Sequence, residues 1–303
     1  MALDAVVLGC GFIGLNFIEF ALQRGYKLRV LDHNDCPKKL ENKLIWVKGD
    51  LSNELAVRKL LSGADLVFHF ISSTVPGDVV DESCELIQNV AQTLQLLKLC
   101  VQEKIRRIVF ISSASVYGIQ TVLPIPETAT THPICSHGIH KLTIEKYLQL
   151  YQYQHGLDCK ILRLSNPYGP GQRINGRQGV IAIAIGKILA DEPILIRGDG
   201  EIIRDFVYID DVSEALHLIA ISQTEESIFN VGSGEGYSLN QLIKLIEGIT
   251  EMRLVIKYVK NRFVDIPASV LGISRERNIL GKMTKISLEE GLSSTFAFHG
   301  IDL

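Results

Sequence analysis

The feature that most constrains this chain lies at its start. An apolar run, Ala5-Val6-Val7-Leu8, leads directly into Gly9-Cys10-Gly11-Phe12-Ile13-Gly14, and an apolar face at Phe12, Ile13, Phe17, Ile18 and Leu22 follows. That order predicts a buried strand, a tight turn and a helix running from Leu15 to roughly Gln23. Each glycine has its own reason. Gly9 permits the turn, Gly11 lets the backbone approach a pyrophosphate, and Gly14 lets helix and strand pack closely. The free amides at the helix start favour an anion. Gly9, Gly11, Phe12, Ile13 and Gly14 are therefore candidate dinucleotide contacts. Alone, the hexapeptide would fit any tight turn; a second strand, Leu28-Arg29-Val30-Leu31, strengthens it by ending in Asp32, whose carboxylate can bind both ribose hydroxyls.

Strands and helices then alternate. Leu44-Ile45-Trp46-Val47 reads as a third strand, followed by Gly49-Asp50-Leu51, where Asp50 is a candidate adenine contact with Leu51 beside it. A short helix from Leu55 to Leu61 precedes the buried run Asp65 to Ile71, and a longer one from about Cys84 to Glu103 precedes Arg107 to Ile111. This spacing implies right-handed crossovers and a doubly wound, parallel α/β sheet. Ligand sites in such sheets lie at the carboxyl ends of strands, so the hydroxyl cluster Ser112-Ser113-Ala114-Ser115 is a candidate site; satisfying the loop backbone is the plainer role for the same serines. A helix from about Ser136 to His155 places His137 and Lys141 on one face, four residues apart. Next come a strand at Cys159 to Leu164, the segment Asn166-Pro167-Tyr168-Gly169-Pro170-Gly171, and Arg204-Asp205-Phe206. A last strand and helix, Phe229 to Val231 and Leu239 to Gly248, precede a tail with Arg262, Asp265 and Ser287 to Leu292 that reads as a small lid.

Composition excludes several classes. The 303 residues carry 31 basic and 34 acidic side chains, a net charge of −3, with no basic run. Nucleic acid and anionic membranes are not expected as partners. No apolar stretch has the length of a membrane span and the first residues read as a strand, so a cytosolic protein is expected. The six cysteines are scattered without zinc-ligand spacing, which favours free thiols and no metal.

Together these segments resemble the extended short-chain dehydrogenase/reductase family, within it the NAD-dependent nucleotide-sugar epimerases and dehydratases typified by UDP-glucose 4-epimerase. The resemblance runs from Gly9 to about Leu292. It is carried by the glycine turn, Asp32, Gly49-Asp50-Leu51, Val67-Phe68-His69, Asn89-Val90, Ser112 to Gly118, Asn166 to Gly171, Arg204-Asp205-Phe206 and Asn230-Val231-Gly232-Ser233-Gly234. It implies a Rossmann domain over 1–165 with NAD as cofactor, and a smaller C-terminal substrate domain over 166–303, with segments near 205–235 returning to the first. By position, Ser113 is the active-site hydroxyl and Lys141 the nicotinamide-ribose lysine. Asn166, Arg204 and Arg262 sit where the family contacts the sugar diphosphate, and the resemblance implies C4 epimerisation of a UDP-hexose. Two arginines suit a diphosphate because each can bond it bidentately; surface ion pairs with Asp205 and Asp265 are the plainer alternative. Ala114 and Ser115 stand where dehydratases carry acids, which argues against dehydration. The resemblance also implies a homodimer through the helices at 84–103 and 136–155, with Leu148 on the shared face.

The break is at residue 137. The family's Tyr-x-x-x-Lys has become His137-x-x-x-Lys141, and Tyr147, Tyr151 and Tyr153 lack the spacing to replace the missing phenol. His137 could be the base, since an imidazole titrates near neutrality and the Lys141 charge favours its neutral form. Equally, chemistry could be weakened, with a tyrosine at 137 restoring turnover, or lost with binding kept. A net nucleotide-sugar oxidoreductase is a further alternative. His140, His132 and His69 read as surface, loop and structural histidines respectively.

Overall fold

The computed structural model describes residues 3–73, 81–176, 178–260, 266–281 and 285–301. The first half of the chain supplies strands β1 (Asp4–Leu8), β2 (Lys27–Asp32), β3 (Ile45–Lys48), β4 (Leu66–His69), β5 (Arg107–Ser113) and β6 (Asp158–Leu164). The second half supplies β7 (Asn166–Tyr168), β8 (Ile194–Arg197), β9 (Ile203–Arg204), β10 (Phe206–Tyr208), β11 (Ile228–Val231), β12 (Tyr237–Ser238), β13 (Ile256–Val259) and β14 (Ala268–Ser269). The helices are α1 (Phe12–Gln23), α2 (Glu54–Leu61), α3 (Glu82–Leu86), α4 (Gln92–Gln102), α5 (Ser136–His155), α6 (Val180–Leu189), α7 (Ile209–Ile221), α8 (Leu239–Thr250), α9 (Ser274–Leu280) and α10 (Leu288–Phe298).

Seven parallel strands form the central sheet in the order β11-β6-β5-β4-β1-β2-β3. Strand order reverses between β1 and β4, where Leu8 lies opposite His69, and this opens a crevice at the carboxyl ends. Both faces are covered, as the near-continuous apolar strands require. Phe17 and Ile18 of α1 pack with Val212 and Leu216 of α7 on one face, while Leu60 of α2, Leu97 of α4 and Ile144 and Leu148 of α5 fill the other. A separate core joins Ile181 and Ile185 of α6, Leu242 and Ile246 of α8 and Leu288, Leu292 and Phe296 of α10.

Three expectations change. The tail expected as a lid instead supplies core: Ser287 and Glu290 form a reciprocal cap at the start of α10, whose apolar residues recur every fourth position and are buried. The single helix expected from Cys84 to Glu103 is interrupted by a π turn at Ile87–Ala91. Its cause is Asn89, whose carboxamide accepts from the Ser73 amide and donates to the Ser73 hydroxyl and the Glu85 carbonyl. Finally, Leu148 is wholly buried against the sheet of its own chain, so it does not lie on a shared face. All six cysteines are free, and no cluster able to hold a metal occurs among the described residues. No described helix is long and apolar enough to cross a membrane.

Candidate active site

The glycine turn has the geometry its sequence demands. Gly9 sits at φ +98°, and a Cβ on Gly14 would lie 2.0 Å from the Gly9 carbonyl oxygen, so only glycine allows α1 to start this close to β1. A Cβ on Gly11 would meet nothing within 4 Å. The open space lies at the amide end of α1, where phosphate oxygens are favoured, and Phe12 and Ile13 open that helix. Asp32 ends β2 in the same crevice. Its buried carboxylate accepts from the Cys10 amide at 2.6 Å and from the Asn34 amide and side chain, each at 2.8 Å. These bonds fix the carboxylate against the turn and leave lone pairs for hydroxyl donors. Asp50 is exposed, and bonds from the Ser52 hydroxyl first and the Ser52 amide second lower its carboxyl from the usual value; Leu51 beside it is buried. The donor set therefore fits a dinucleotide.

The carboxyl end of β5 meets the amino end of α5. Ser113 closes β5, and its Oγ accepts from the Ser115 amide at 3.2 Å and the Ser115 hydroxyl at 2.9 Å, leaving its own proton to donate. A Cβ on Gly138 would approach the Ser115 carbonyl to 2.7 Å. Glycine at 138 thus lets α5 press onto the serine turn, bringing neighbouring His137 to this end of the sheet. His137 is buried in the first turn of α5. One turn on, the Lys141 ammonium donates to the Ile111 carbonyl at 2.8 Å and lies 4.7 Å over the Phe110 ring. Burial pushes Lys141 down to about 8, and the Glu145 carboxylate opposes that shift. Glu145 is itself fully buried, bonded twice by Arg163, with Nη2 at 2.7 Å, and once by the Ser112 hydroxyl. His69 is pushed down to about 3, by burial first and Lys141 second, and pairs with the Thr93 hydroxyl at 2.9 Å, a structural role near the cofactor crevice.

In the second half of the chain, Asn166 and Arg204 line a cavity of about 200 Å³ with Tyr168, Gly179, Ile181 and Phe206. The Asn166 side chain donates to the Asp205 carbonyl at 2.9 Å, and Arg204 Nη1 donates to the carbonyls of Ile203 and Ile266. Asp205 is no surface partner for Arg204: it is fully buried, and its carboxylate accepts from the amides of Ser233, Gly234 and Leu271. Arg262 and Asp265 lie outside the described residues.

Sequence reasoning missed one contributor and misread two others. Asn16 donates to the carbonyls of Phe12 and Pro170, at 2.9 and 3.2 Å, tying the turn helix to the loop after Asn166. A polar residue inside an otherwise apolar first turn was its only signal. The hub at Asp205 was named only within the Arg204-Asp205-Phe206 landmark and as a surface ion-pair partner, because the amides it binds lie far along the chain. His140, expected at the surface, is buried, with Nδ1 3.8 Å from Oε2 of the equally buried Glu85.

Proteins that exchange hydride with a bound dinucleotide are built on this plan, with a phosphate-binding turn at the strand-order reversal and a serine and lysine at the next strand end. The sequence profile of the NAD dependent epimerase/dehydratase family matches residues 5–232, and the chain belongs to that family, as the extended short-chain dehydrogenase/reductase landmarks implied. Among relatives, it is 31% identical over 297 residues to the dTDP-4-dehydro-6-deoxyglucose reductase of Escherichia coli, covering 94% of this chain and 93% of that protein. It is 29% identical over 298 residues to the UDP-glucose 4-epimerase of Mycolicibacterium smegmatis, covering 95% of each. Among solved structures, the UDP-glucose 4-epimerase of Thermotoga maritima with UDP-glucose superposes with a TM-score of 0.92 at 32% identity, covering 98% of this chain and 99% of that one.

Proposed function

We propose that this protein is a cytoplasmic 4-epimerase of a UDP-hexose. The observation that supports the reading is Lys141, bonded to the Ile111 carbonyl of β5, the strand that Ser113 closes, and one helical turn from His137. Bound NAD supplies a reversible hydride acceptor for C4 of the sugar. Residues 1–165 hold it, and 166–303 mainly hold the nucleotide sugar. His137 accepts the proton of the 4-hydroxyl as the C4–H electron pair leaves, and returns it when the pair comes back to the other face. The Ser113 hydroxyl donates to the same oxygen, and the Lys141 charge orients the nicotinamide ribose and favours a neutral, accepting imidazole. Asn166, Arg204 and, by position, Arg262 grip the nucleotide end. Proton NMR of UDP-hexoses incubated with protein and NAD tests this: a second epimer is expected. A keto product or accumulating NADH would instead identify a net oxidoreductase, and unchanged spectra a binding protein.

Cofactor choice follows from Asp32. Its carboxylate, pinned by the Cys10 amide, suits ribose hydroxyls and repels a 2′-phosphate, so NAD is expected to bind at least about tenfold tighter than NADP, each scored by fluorescence titration. Equal affinities would sink the assignment.

We also propose a homodimer. With Leu148 buried, the face is redrawn around Leu86, Ile87 and Ile139, each about half exposed near the α3–α5 seam. Ile139→Glu is expected to turn a dimer into a monomer by light scattering; a wild-type monomer at micromolar concentration would refute it.

A further inference from the structure

Asn16 joins the dinucleotide turn to the cavity of Asn166 and Arg204. It lies one turn into α1, and its carboxamide nitrogen donates twice: to the Phe12 carbonyl in the first turn of its own helix, at 2.9 Å, and to the Pro170 carbonyl in the loop after β7, at 3.2 Å. Pro170 stands between Gly169 at φ +146° and Gly171 at φ +86°, conformations that residues with side chains rarely adopt. A Cβ on Gly171 would come within 3.7 Å of the same Asn16 nitrogen, so the loop runs close over α1. From Pro170 the contacts continue to the cavity wall. The Gln172 amide donates to the Gly169 carbonyl at 3.3 Å, and its side chain donates to the Pro167 carbonyl at 3.4 Å. A Cβ on Gly179 would meet the Gln172 carboxamide at 2.5 Å, which puts that side chain directly on the residue before α6. Gly179, Val180 and Ile181 line the cavity with Asn166 and Arg204.

The other end of this path is the part of α1 that a dinucleotide acts on. The N-cap is Gly11, which has no side chain to accept from the free amides, and no acidic residue stands in the first turn. A phosphate supplies the missing acceptors. With the turn capped in this way, the Phe12 carbonyl is fixed, and so is the Asn16 side chain bonded to it. With the turn frayed, Asn16 loses that anchor and Pro170 loses an oriented donor. We propose that Asn16 is a positioning residue that couples the two sites: dinucleotide on the first turn of α1 fixes Asn16, which holds the loop at Pro170 and so sets the cavity wall for the second ligand. The inference rests on the reading of that cavity as the nucleotide-sugar site. A second ligand that meets an already ordered wall has less ordering to bring about, and by linkage each ligand tightens the other by the same factor.

UDP is the probe for this coupling, because it carries no hexose to touch the nicotinamide and therefore reports the path through the protein. Calorimetry of UDP with NAD-free and NAD-loaded protein is expected to give a dissociation constant about tenfold lower in the loaded form. In Asn16→Ala the ratio of the two constants is expected to fall below about twofold. Any loss of affinity common to both forms cancels in that ratio, so a packing defect alone does not move it. Gln172→Ala breaks the loop's bond to Pro167 without touching α1 and is expected to lower the ratio in the same direction. A ratio that stays near the wild-type value in Asn16→Ala or, where that variant does not fold, in Gln172→Ala overturns the inference. Wild type that binds UDP equally with and without NAD also overturns it, and both results leave the nucleotide-sugar reading standing. UDP that binds neither form of the wild type overturns that reading, and the inference with it.

Discussion

His137→Ala is expected to lower epimerase turnover by about 10²–10⁴-fold, the usual contribution of a positioned general base, while NAD and UDP affinities change little. The expectation follows from the surroundings of the imidazole. His137 lies in the first turn of α5, where the helix dipole disfavours added positive charge, and Lys141 on the same face adds a cation. Both favour the neutral ring that accepts a proton. The pH profile should show two limbs. The acid limb reports protonation of His137. The alkaline limb reports Lys141, which burial brings down to about 8. Below that pH the lysine keeps its charge and activity is retained; above it the charge is lost and activity falls. His137→Tyr is expected to remove the near-neutral acid limb without raising turnover. A gain of about 10²-fold or more with tyrosine would show that the residue is a lost phenol rather than a working base.

Glu145→Ala should unfold the protein far more readily, by about 3–5 kcal/mol in urea titrations, because it strands the Arg163 guanidinium in the interior. Arg163 is 3% exposed and gives two of its donors to Glu145, at 2.7 and 3.1 Å. The Ser112 hydroxyl loses its acceptor at the same time. The effect reaches the site as well. Glu145 is the carboxylate that holds up the charge on Lys141, so the alkaline limb in any surviving enzyme should move to lower pH. Replacing both Glu145 and Arg163 by leucine should recover much of the stability, since an apolar pair carries no desolvation penalty. A loss under about 1 kcal/mol for Glu145→Ala would place this pair with weak surface bridges.

The parts of this molecule written in short-range patterns were legible from sequence. The glycine turn, Asp32 at the next strand end and the alternation of apolar runs with helical faces each depend on neighbours within a few residues, and the sheet reproduces them. Contacts between distant segments were not legible. The π turn depends on Asn89 reaching Ser73, the burial of His140 on Glu85 across another helix, and the Asp205 hub on amides near 233 and 271. Leu148 shows the limit most directly. On a helix with apolar residues on more than one side, periodicity identifies a buried stripe but does not say whether the chain itself or a second copy covers it.

The edge strand β11 has a consequence for how the protein is made. It pairs with β6 through Ile228 opposite Ile161 and Val231 opposite Leu164, yet β7, β8, β9 and β10 are translated between the two. During synthesis from the N-terminus, β6 therefore waits with one edge unpaired until residue 231 has left the ribosome. A nascent chain stalled anywhere between presents the unpaired, apolar edge of Ile161 and Leu162 to other chains, and at that stage a chaperone has most to protect.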